Sequence, residues 1–337
     1  MSPTLHDVAR VAGVSIKTVS NVINDHPHVR PATREKVERA IADLGYTPNL
    51  TARNLRSGRA GAIALAVPDL ALSYFAELAG LVIAEAERRG VVVLVEQTGG
   101  DRDRELDLLR SPRRGLTDGL IFSPLGMGQE DAERLRVPYP MVLLGERVFD
   151  GPVDHVTMRN VEAARSATEH LIAAGRRRVA VIGAHDGEVI GSAGLRLRGY
   201  REALEAAGIP FDPALVGSTT MWHRANGART MHDVLDRGVD FDAVLGLNDT
   251  LALGAMRVLQ ESGRRVPEDV AVVGFDDLDE AQYSIPSLTT VDPGQEWIAR
   301  TAVETLLARV AAPGEPHEPA LLLADFRLAV RESAPLA

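Results

Sequence analysis

Polar side chains gather at the start of a short helix that the sequence predicts near the N-terminus. In the segment DVARVAGVSIKTVSNVIN, residues 7–24, the run Ala-Gly-Val at 12–14 indicates a tight turn between two helices. The outer face of the second helix then carries Ser15, Ile16, Lys17, Thr18 and Asn21. Two helices held at a fixed angle by such a turn can present these side chains to the base edges of DNA. An ordinary helical hairpin also fits this spacing.

The two helices belong to a predicted three-helix unit that covers the first 48 residues. Thr4 and Asp7 form a capping pattern that opens the first helix, and Ser15 can cap the second. The third helix is predicted over 31–44 and ends at Gly45. Apolar residues at helical spacings supply a small core, namely Val8, Ala9, Val14, Val19, Val22, Val37, Ile41 and Leu44.

The charge of the chain is divided unequally along its length. The formal net charge is −10, but residues 1–60 carry +4 and the remainder carries −14. Both lysines of the chain, Lys17 and Lys36, lie in the first segment. A small basic module on an acidic body can bind a nucleic acid locally while the body stays away from it. Chance clustering of a few basic residues is the alternative interpretation.

Residues 46–60, YTPNLTARNLRSGRA, predict a basic linker after the three helices. Asn49 can cap a short helix that runs to about Arg56. A helix of this length is marginal by itself in water, because too few backbone hydrogen bonds offset the cost of nucleation. Gly58 and Gly61 predict a flexible exit from the linker.

From residue 62 the pattern changes to apolar strands that alternate with amphipathic helices. Strands are predicted over 62–67, 91–96, 119–123, 141–144, 179–182, 243–247 and 270–273. Helices are predicted between them, for example over 75–89, 162–174, 198–207, 227–236 and 250–262. This alternation predicts doubly wound parallel sheets with helices on both faces, and its length indicates two lobes.

Several classes of function lack the residues that they need. The chain has no cysteine, which excludes disulfides and thiolate chemistry. It has no Walker A loop, no G-x-S-x-G, no H-E-x-x-H and no G-x-G-x-x-G after a strand, and its nine histidines lack metal-ligand spacing. We therefore expect no enzymatic activity, no cofactor and no metal site. Because the sequence shows neither a signal peptide nor a membrane span, we expect a cytoplasmic protein.

Two separated sets of motifs resemble one known family. The segments TLHDVARVAGVSIKTVSNVIN, TREKVERAIADLGYTPN and ARNLRSGR are similar to the DNA-binding headpiece of the lactose-repressor/galactose-repressor family of bacterial transcription regulators. The segments LNDTLALGAMRVLQESGRRVPEDVAVVGFDD and IPSLTTV are similar to the sensor core of the same family. The two sets lie some 180 residues apart in the order of the family, and the resemblance runs nearly end to end.

The resemblance implies a set of residues that contact DNA. Ile16, Lys17 and Asn21 match base-reading positions, where lysine can bind guanine and asparagine can pair with adenine. The family often has arginine at the position of Asn21, so we expect an operator half-site that differs from the common one. Expected phosphate or backbone contacts are Ser15, Thr18, Ser20 and Asn24, and Thr4, His28 and Asn49 complete the headpiece set. The linker matches a hinge helix that enters the minor groove, where Leu55 matches the wedging leucine and Ala52 and Arg53 match groove-facing neighbours. Arg56 is a further expected contact, which contributes to affinity.

The resemblance also implies an effector site between the two lobes. Arg196, Asn248 and Asp276 match effector-binding positions, and this combination suits a polyhydroxylated ligand. Asp69, Ser123 and Arg147 follow first-lobe strands and are further candidates. Stacking faces are expected from Tyr74, Phe75, Trp222 and Phe275. A structural ion pair of Arg196 with Asp276, and core packing of the aromatic side chains, are the alternatives.

The resulting expectation is an all-α helix-turn-helix headpiece joined to an α/β core of two Rossmann-like lobes, similar to type I periplasmic binding proteins. The headpiece is assigned to 1–48, the hinge to 49–60 and the core to 61–337. Within the core, the first lobe is assigned to about 61–158 and 292–319, and the second lobe to about 159–291 and 320–333.

The expected function is a repressor whose affinity for palindromic operator DNA is controlled by a small-molecule effector, most simply a sugar. A homodimer is expected, and a tetramer is not, because the final residues RLAVRESAPLA show no heptads. A nucleobase-responsive regulator of the same family is an alternative, because aromatic side chains could clamp a flat ring. A solute-binding protein and a sugar- or nucleotide-metabolising enzyme are alternatives from other classes.

Overall fold

The computed structural model of the protein describes residues 3–23, 26–46, 60–111 and 115–336. The chain divides into two units, Met1–Ala60 and Gly61–Ala337. None of the helices in the described ranges is both long and apolar enough to cross a membrane.

Three helices form the first unit, namely α1 (Leu5–Ala12), α2 (Ile16–Ile23) and α3 (Pro31–Leu44). A capping box opens α1, because the Asp7 amide donates to the Thr4 hydroxyl while the Thr4 amide donates to the Asp7 carboxylate. Gly13, with φ of 67°, ends α1 in the left-handed conformation that allows the sharp turn into α2. The buried core consists of Val8, Ala9, Val19, Val22, Val37, Ala40 and Tyr46. The three predicted helices are therefore confirmed, with ends shifted by one or two residues.

The second unit alternates strands and helices. The strands are β1 (Ala62–Val67), β2 (Val92–Gln97), β3 (Leu120–Phe122), β4 (Met141–Leu144), β5 (Asp154–Met158), β6 (Val179–Ala184), β7 (Val216–Ser218), β8 (Ala243–Gly246), β9 (Ala271–Phe275), β10 (Thr289–Asp292), β11 (Leu321–Ala324) and β12 (Arg327–Ala329). The helices are α4 (Ser73–Glu87), α5 (Arg102–Arg110), α6 (Asn160–Ala173), α7 (Ser192–Ala206), α8 (Arg224–Asp236), α9 (Asp249–Glu261), α10 (Asp279–Tyr283) and α11 (Gln295–Ala311). Short 3₁₀ helices span Gln129–Leu135 and Pro213–Leu215.

The strands form two sheets, one in each lobe. The first sheet has the order β11-β5-β4-β3-β1-β2, and all of its neighbouring strands are parallel. The second has the order β12-β10-β9-β8-β6-β7, and it is parallel except for the antiparallel pair β10 and β12. The largest apolar core cluster includes residues from both sheets. The predicted two-lobed α/β architecture is confirmed.

One lobe boundary that we expected from the sequence is wrong. Residues 320–333 were assigned to the second lobe, but β11 pairs with β5 in the first sheet, with Leu321 opposite His155. The chain therefore enters the second sheet only at β12. The sequence could not reveal this, because β11 is a short strand at a sheet edge and one turn separates it from β12.

A glycine in β9 makes room for a buried carboxylate of the second lobe. A Cβ atom on Gly274 would lie 2.1 Å from Oδ1 of Asp249. Asp249 accepts hydrogen bonds from the Leu278 amide at 2.9 Å and from the Thr290 hydroxyl at 2.5 Å. Burial raises the pKa of Asp249 to about 7, although the hydrogen bond from Thr290 acts in the opposite direction. The carboxyl group therefore fixes the segment after β9 to α9 and β10.

We expect Gly274→Ala to destabilise the second unit, because the added methyl group displaces the Asp249 carboxyl from its two donors. The loss in the free energy of unfolding should be about 1–3 kcal/mol. Denaturant unfolding followed by circular dichroism measures it. The matched control is Gly80→Ala in α4, where no atom lies within 4 Å of the new methyl group. Equal unfolding midpoints for the two variants would contradict the steric argument.

Candidate functional site

A cavity of about 140 Å³ lies between the two sheets and is lined by residues of both lobes. Parallel sheets place ligand-binding residues beyond the carboxyl ends of their strands, and this cavity lies there. It brings together eight of the ten predicted effector residues, namely Tyr74, Phe75, Ser123, Arg147, Arg196, Trp222, Asn248 and Asp276.

Arg196 is the buried cation of this cavity. It projects from α7, and its Nε donates to Oδ1 of Asn160 at 2.8 Å while an Nη atom donates to the carbonyl of Leu247. The guanidinium carbon lies 3.6 Å from the centroid of the Phe275 ring, so the cation stacks on an aromatic face. Nη1 is 3.6 Å from a carboxylate oxygen of Asp276. These contacts fix the orientation of the guanidinium plane.

Asp276 faces Arg196 from a strained turn after β9. Asp276 and Asp277 have φ of 122° and 53°, a region that residues other than glycine rarely adopt. The turn is held by Thr290, whose hydroxyl accepts from the Asp277 amide at 3.3 Å, and by Arg331, which donates to the Asp277 carboxylate at 2.6 Å. Burial raises the pKa of Asp276 well above its ordinary value, and the charge of Arg196 opposes that increase.

Asn248 caps the N-terminus of α9 and also lines the cavity. Its Oδ1 caps the helix by accepting from the Leu251 amide at 2.8 Å, and it also accepts from the Thr250 hydroxyl at 3.0 Å. Its amide nitrogen donates to the carbonyl of Trp222 at 3.4 Å, which leaves a second N–H for a ligand. Asn248 can therefore act as a donor in a fixed orientation.

Aromatic side chains line the apolar part of the cavity. The rings of Tyr74 and Phe75 meet edge to face with centroids 5.2 Å apart. The Trp222 indole donates from Nε1 to the carbonyl of Gly183 at 2.9 Å, which holds its ring in place. Burial raises the pKa of Tyr74 far above its ordinary value, and the nearby carboxylates of the cavity add to this effect. Phe275 lies beneath Arg196 instead of lining the cavity.

Asp69 is a predicted effector residue that does not line the cavity. Its Oδ1 accepts from the Ala71 amide at 2.9 Å, which closes the turn between β1 and α4. Its Oδ2 lies 3.7 Å from Nε2 of His223 in the second lobe. The carboxylate of Asp69 is therefore engaged by its own turn and faces a histidine of the opposite lobe.

Polar groups that the sequence analysis missed line the same cavity. Glu146 is buried and accepts from Thr157 at 2.8 Å and from Ser192 at 2.5 Å. His185 and Glu188 follow β6, and they form a hydrogen bond of 2.9 Å. Glu146 and His185 follow predicted strands, so a consistent search of strand ends could have found both.

Side chains from the two lobes contact each other around the cavity. At one side Arg147 donates to Glu188 at 3.0 Å, and Ser192 donates to Glu146. At another side the Asp279 amide donates to Glu77 at 3.1 Å. The lobes are therefore in a closed arrangement that direct hydrogen bonds hold on at least two sides of the cavity.

In the first unit, the residues predicted to contact DNA lie on and around α2. Lys17 is exposed, Asn21 is partly exposed, and Ile16 is half-buried against the core of the headpiece. The hydroxyl of Ser15 accepts from the Thr18 amide at 3.1 Å and pairs with the Thr18 hydroxyl at 2.8 Å. The Ser15 hydroxyl therefore caps α2 and the Thr18 hydroxyl supports that cap, which agrees with a role in positioning the helix.

Three of the other predicted DNA contacts lie in the described part of the headpiece, and the rest lie outside it. Thr4 caps α1, and the exposed His28 lies 5.6 Å from His26 between ring centroids. Ser20 is partly exposed on α2. The predicted contacts that lie outside the described residues are Asn24, Asn49, Ala52, Arg53, Leu55 and Arg56.

The His, Asp and Glu side chains of the described residues do not cluster as metal ligands do. In the ranges that the structure covers, no group of three or more His, Asp or Glu side chains is arranged to hold a metal ion. Most polar groups of the cavity are paired with one another, and they are suited to bind and orient a ligand.

Two family models match this chain. The model described as "Bacterial regulatory proteins, lacI family" matches residues 4–49, and the model described as "Periplasmic binding protein-like domain" matches residues 168–334. The HTH-type transcriptional regulator CelR of Thermobifida fusca is 39% identical over 345 residues, which cover 98% of each protein.

Solved structures show the same architecture along the full chain. A structure of the lac repressor dimer bound to operator and an anti-inducer has a TM-score of 0.82 at 30% identity, and the match covers 99% of both chains. A CelR–cellobiose complex has a TM-score of 0.73 at 36% identity, and the match covers 98% of this chain and 99% of that one. The chain therefore belongs to the lacI family of bacterial regulatory proteins, which are DNA-binding transcriptional regulators.

Proposed function

We propose that this regulator is a homodimeric repressor whose affinity for a palindromic operator is controlled by an uncharged sugar bound between its lobes. It acts on DNA in the cytoplasm and carries no enzymatic activity. The observation that carries the proposal is the buried pair of Arg196 and Asp276 beside aromatic faces in the interlobe cavity. The cellobiose bound in the related CelR structure supports a sugar.

The charges of the cavity favour a neutral ligand. Arg196 is opposed by Asp276, and Arg147 is opposed by Glu188. The cavity also holds the carboxylate of Glu146, so no arginine or lysine among the described residues that line it is left unpaired for a phosphate or carboxylate ligand. Sugar hydroxyls both donate and accept, and so they suit this mixture of donors and acceptors. Aromatic faces such as Trp222 suit the apolar side of a sugar ring.

The direct test is a thermal-shift screen of full-length protein against cellobiose, lactose, glucose, ribose, glucose 6-phosphate, adenine and guanine. We expect one of the uncharged sugars to raise the melting temperature, and the same sugar to change operator affinity in a gel shift. Stabilisation by the sugar phosphate alone would contradict the charge argument. Stabilisation by a purine alone would favour the nucleobase-responsive alternative, for which the Ser73-Tyr74-Phe75 segment and Trp222 would supply the clamp.

We expect Arg196→Ala to abolish the response to the sugar while operator affinity without sugar changes little. The guanidinium contacts the cavity, whereas α2 of the headpiece contacts DNA.

Because Arg196→Ala leaves Asp276 buried without its cation, Ser123→Ala is a milder second variant. The Ser123 hydroxyl lines the cavity and has no hydrogen-bond partner among the described residues. Its loss should weaken sugar binding by about 2- to 10-fold.

Operator gel shifts with and without sugar measure both effects. The matched control is Arg257→Ala, because Arg257 is an exposed arginine of α9 that pairs with Glu261 on its own helix. Loss of operator binding with retained sugar binding in Arg196→Ala would show that the effector site has been misplaced.

We expect Asn21→Arg to change the preferred operator half-site, because a base-reading side chain contributes about 1–3 kcal/mol of discrimination at its base pair. Selection from a random DNA library reads the preference directly. The control is Arg56→Ala, which should weaken binding to every sequence alike because phosphate contacts carry no sequence information. An unchanged sequence preference in Asn21→Arg would exclude Asn21 as a reader.

Apolar side chains on the surface of the second unit support a dimer. Tyr283 and Ile285 are 76% and 87% exposed beside α10. Val92 and Leu94 are also exposed on β2, which is an edge strand of the first sheet. Exposed apolar groups on an edge strand favour association with another chain. The related lac repressor structure is a dimer on its operator, and a palindromic operator matches two-fold protein symmetry.

We expect the double variant Tyr283→Asp, Ile285→Asp to be a monomer at micromolar concentration, because two carboxylates would be buried at the interface. Light scattering of the wild type should give twice the chain mass. The control is Val189→Asp, since Val189 is 79% exposed but lies in the loop that follows β6. A monomeric wild type would exclude the dimer, and a dimeric double variant would exclude this surface.

A further inference from the structure

His185 presents an unpaired nitrogen in the wall of the interlobe cavity. Its Nε2 atom is buried and has no hydrogen-bond partner among the described residues. Its Nδ1 atom lies 2.9 Å from Oε2 of Glu188. A buried polar atom without a partner costs free energy, so native proteins rarely leave one unless a ligand or water completes it.

Glu188 determines which nitrogen of His185 carries the proton. The same Oε2 accepts from Nη1 of Arg147 at 3.0 Å, and Oε1 accepts from the Gly194 amide at 3.3 Å. Burial opposes ionisation of Glu188, but the hydrogen bond from His185 and the charge of Arg147 hold the pKa of this carboxyl below its ordinary value. An ionised carboxylate only accepts hydrogen bonds, so Nδ1 of His185 is the donor, and a neutral ring then has a free lone pair on Nε2.

The nearest aromatic neighbour does not supply the missing donor. The Trp222 ring lies 5.6 Å from the His185 ring between centroids, but its only N–H donates to the carbonyl of Gly183. Nε2 therefore has no donor among the described residues.

We propose that His185 is a specificity-determining residue whose Nε2 accepts a hydrogen bond from a hydroxyl group of the effector. The inference rests on the proposed function, because it requires an effector in this cavity. A sugar with a free hydroxyl at this point satisfies Nε2. A sugar with a deoxy or O-methyl group there leaves Nε2 buried without a partner and is rejected.

The first experiment measures the proton position without any ligand. Full-length protein labelled with ¹⁵N-histidine is examined by two-bond ¹H–¹⁵N correlation, and the signals that vanish in His185→Asn identify the residue. We expect the neutral form with the proton on Nδ1. A proton on Nε2 in the neutral ring would overturn the proposal, since the nitrogen would then be a donor.

The second experiment compares the affinity of cellobiose for three variants by calorimetry. Asparagine places an amide near the position of Nδ1 and has no counterpart of Nε2, so His185→Asn should weaken binding by about 5- to 100-fold. Glutamine places an amide oxygen near the position of Nε2, so His185→Gln should recover most of the loss. His232→Asn is the matched control, because His232 is exposed on α8.

The outcomes separate the two proposals. Equal cellobiose affinity of wild type and His185→Asn would refute the role of His185 while leaving a sugar effector intact. If wild type binds neither cellobiose nor the other sugars of the screen, the proposed function fails. In that case the proton on Nδ1 would still support an acceptor at Nε2, and a proton on Nε2 would still refute it.

Discussion

The burial of the Arg196 guanidinium is the constraint on which the cavity depends. A cation removed from water is costly unless it is paired and hydrogen-bonded. Here the compensation comes from three separate elements: Asn160 at the start of α6, the carbonyl of Leu247 after β8, and the ring of Phe275 in β9. The remaining charge is balanced by Asp276, so the second lobe must bring a carboxylate to the end of β9.

The position of the Asp276 carboxylate requires a strained backbone, and hydrogen bonds of neighbouring residues offset this strain. Asp276 and Asp277 both have positive φ, which costs of order 1–3 kcal/mol for each residue. The bonds from Thr290 and Arg331 to Asp277, together with the Asp249 carboxyl in the space left by Gly274, hold the turn. Because these groups are buried or half-buried, the position of Asp276 is fixed before any ligand binds, which lowers the entropic cost of binding.

Long apolar strands and capped helices could be predicted from the sequence, whereas short edge strands and side-chain directions could not. Ala62–Val67 is a continuous apolar run, but Val216–Ser218 has three residues and no distinct pattern. Arg147, Ser123 and Asp69 were all predicted as effector-binding residues because each follows a strand of the first lobe. Only the geometry of each turn decides whether such a side chain reaches the cavity. Asp69 closes its own turn, whereas His185 follows β6 into the cavity wall.

The closed cavity contains two kinds of polar group with different consequences for control. The bonds between Arg147 and Glu188 and between Ser192 and Glu146 join the lobes and are complete without a ligand. They stabilise the closed arrangement whichever molecule is bound. A ligand changes the balance between lobe arrangements only through its difference in affinity for them. Selection among effectors must therefore depend on groups that remain unpaired after closure, and Nε2 of His185 is such a group.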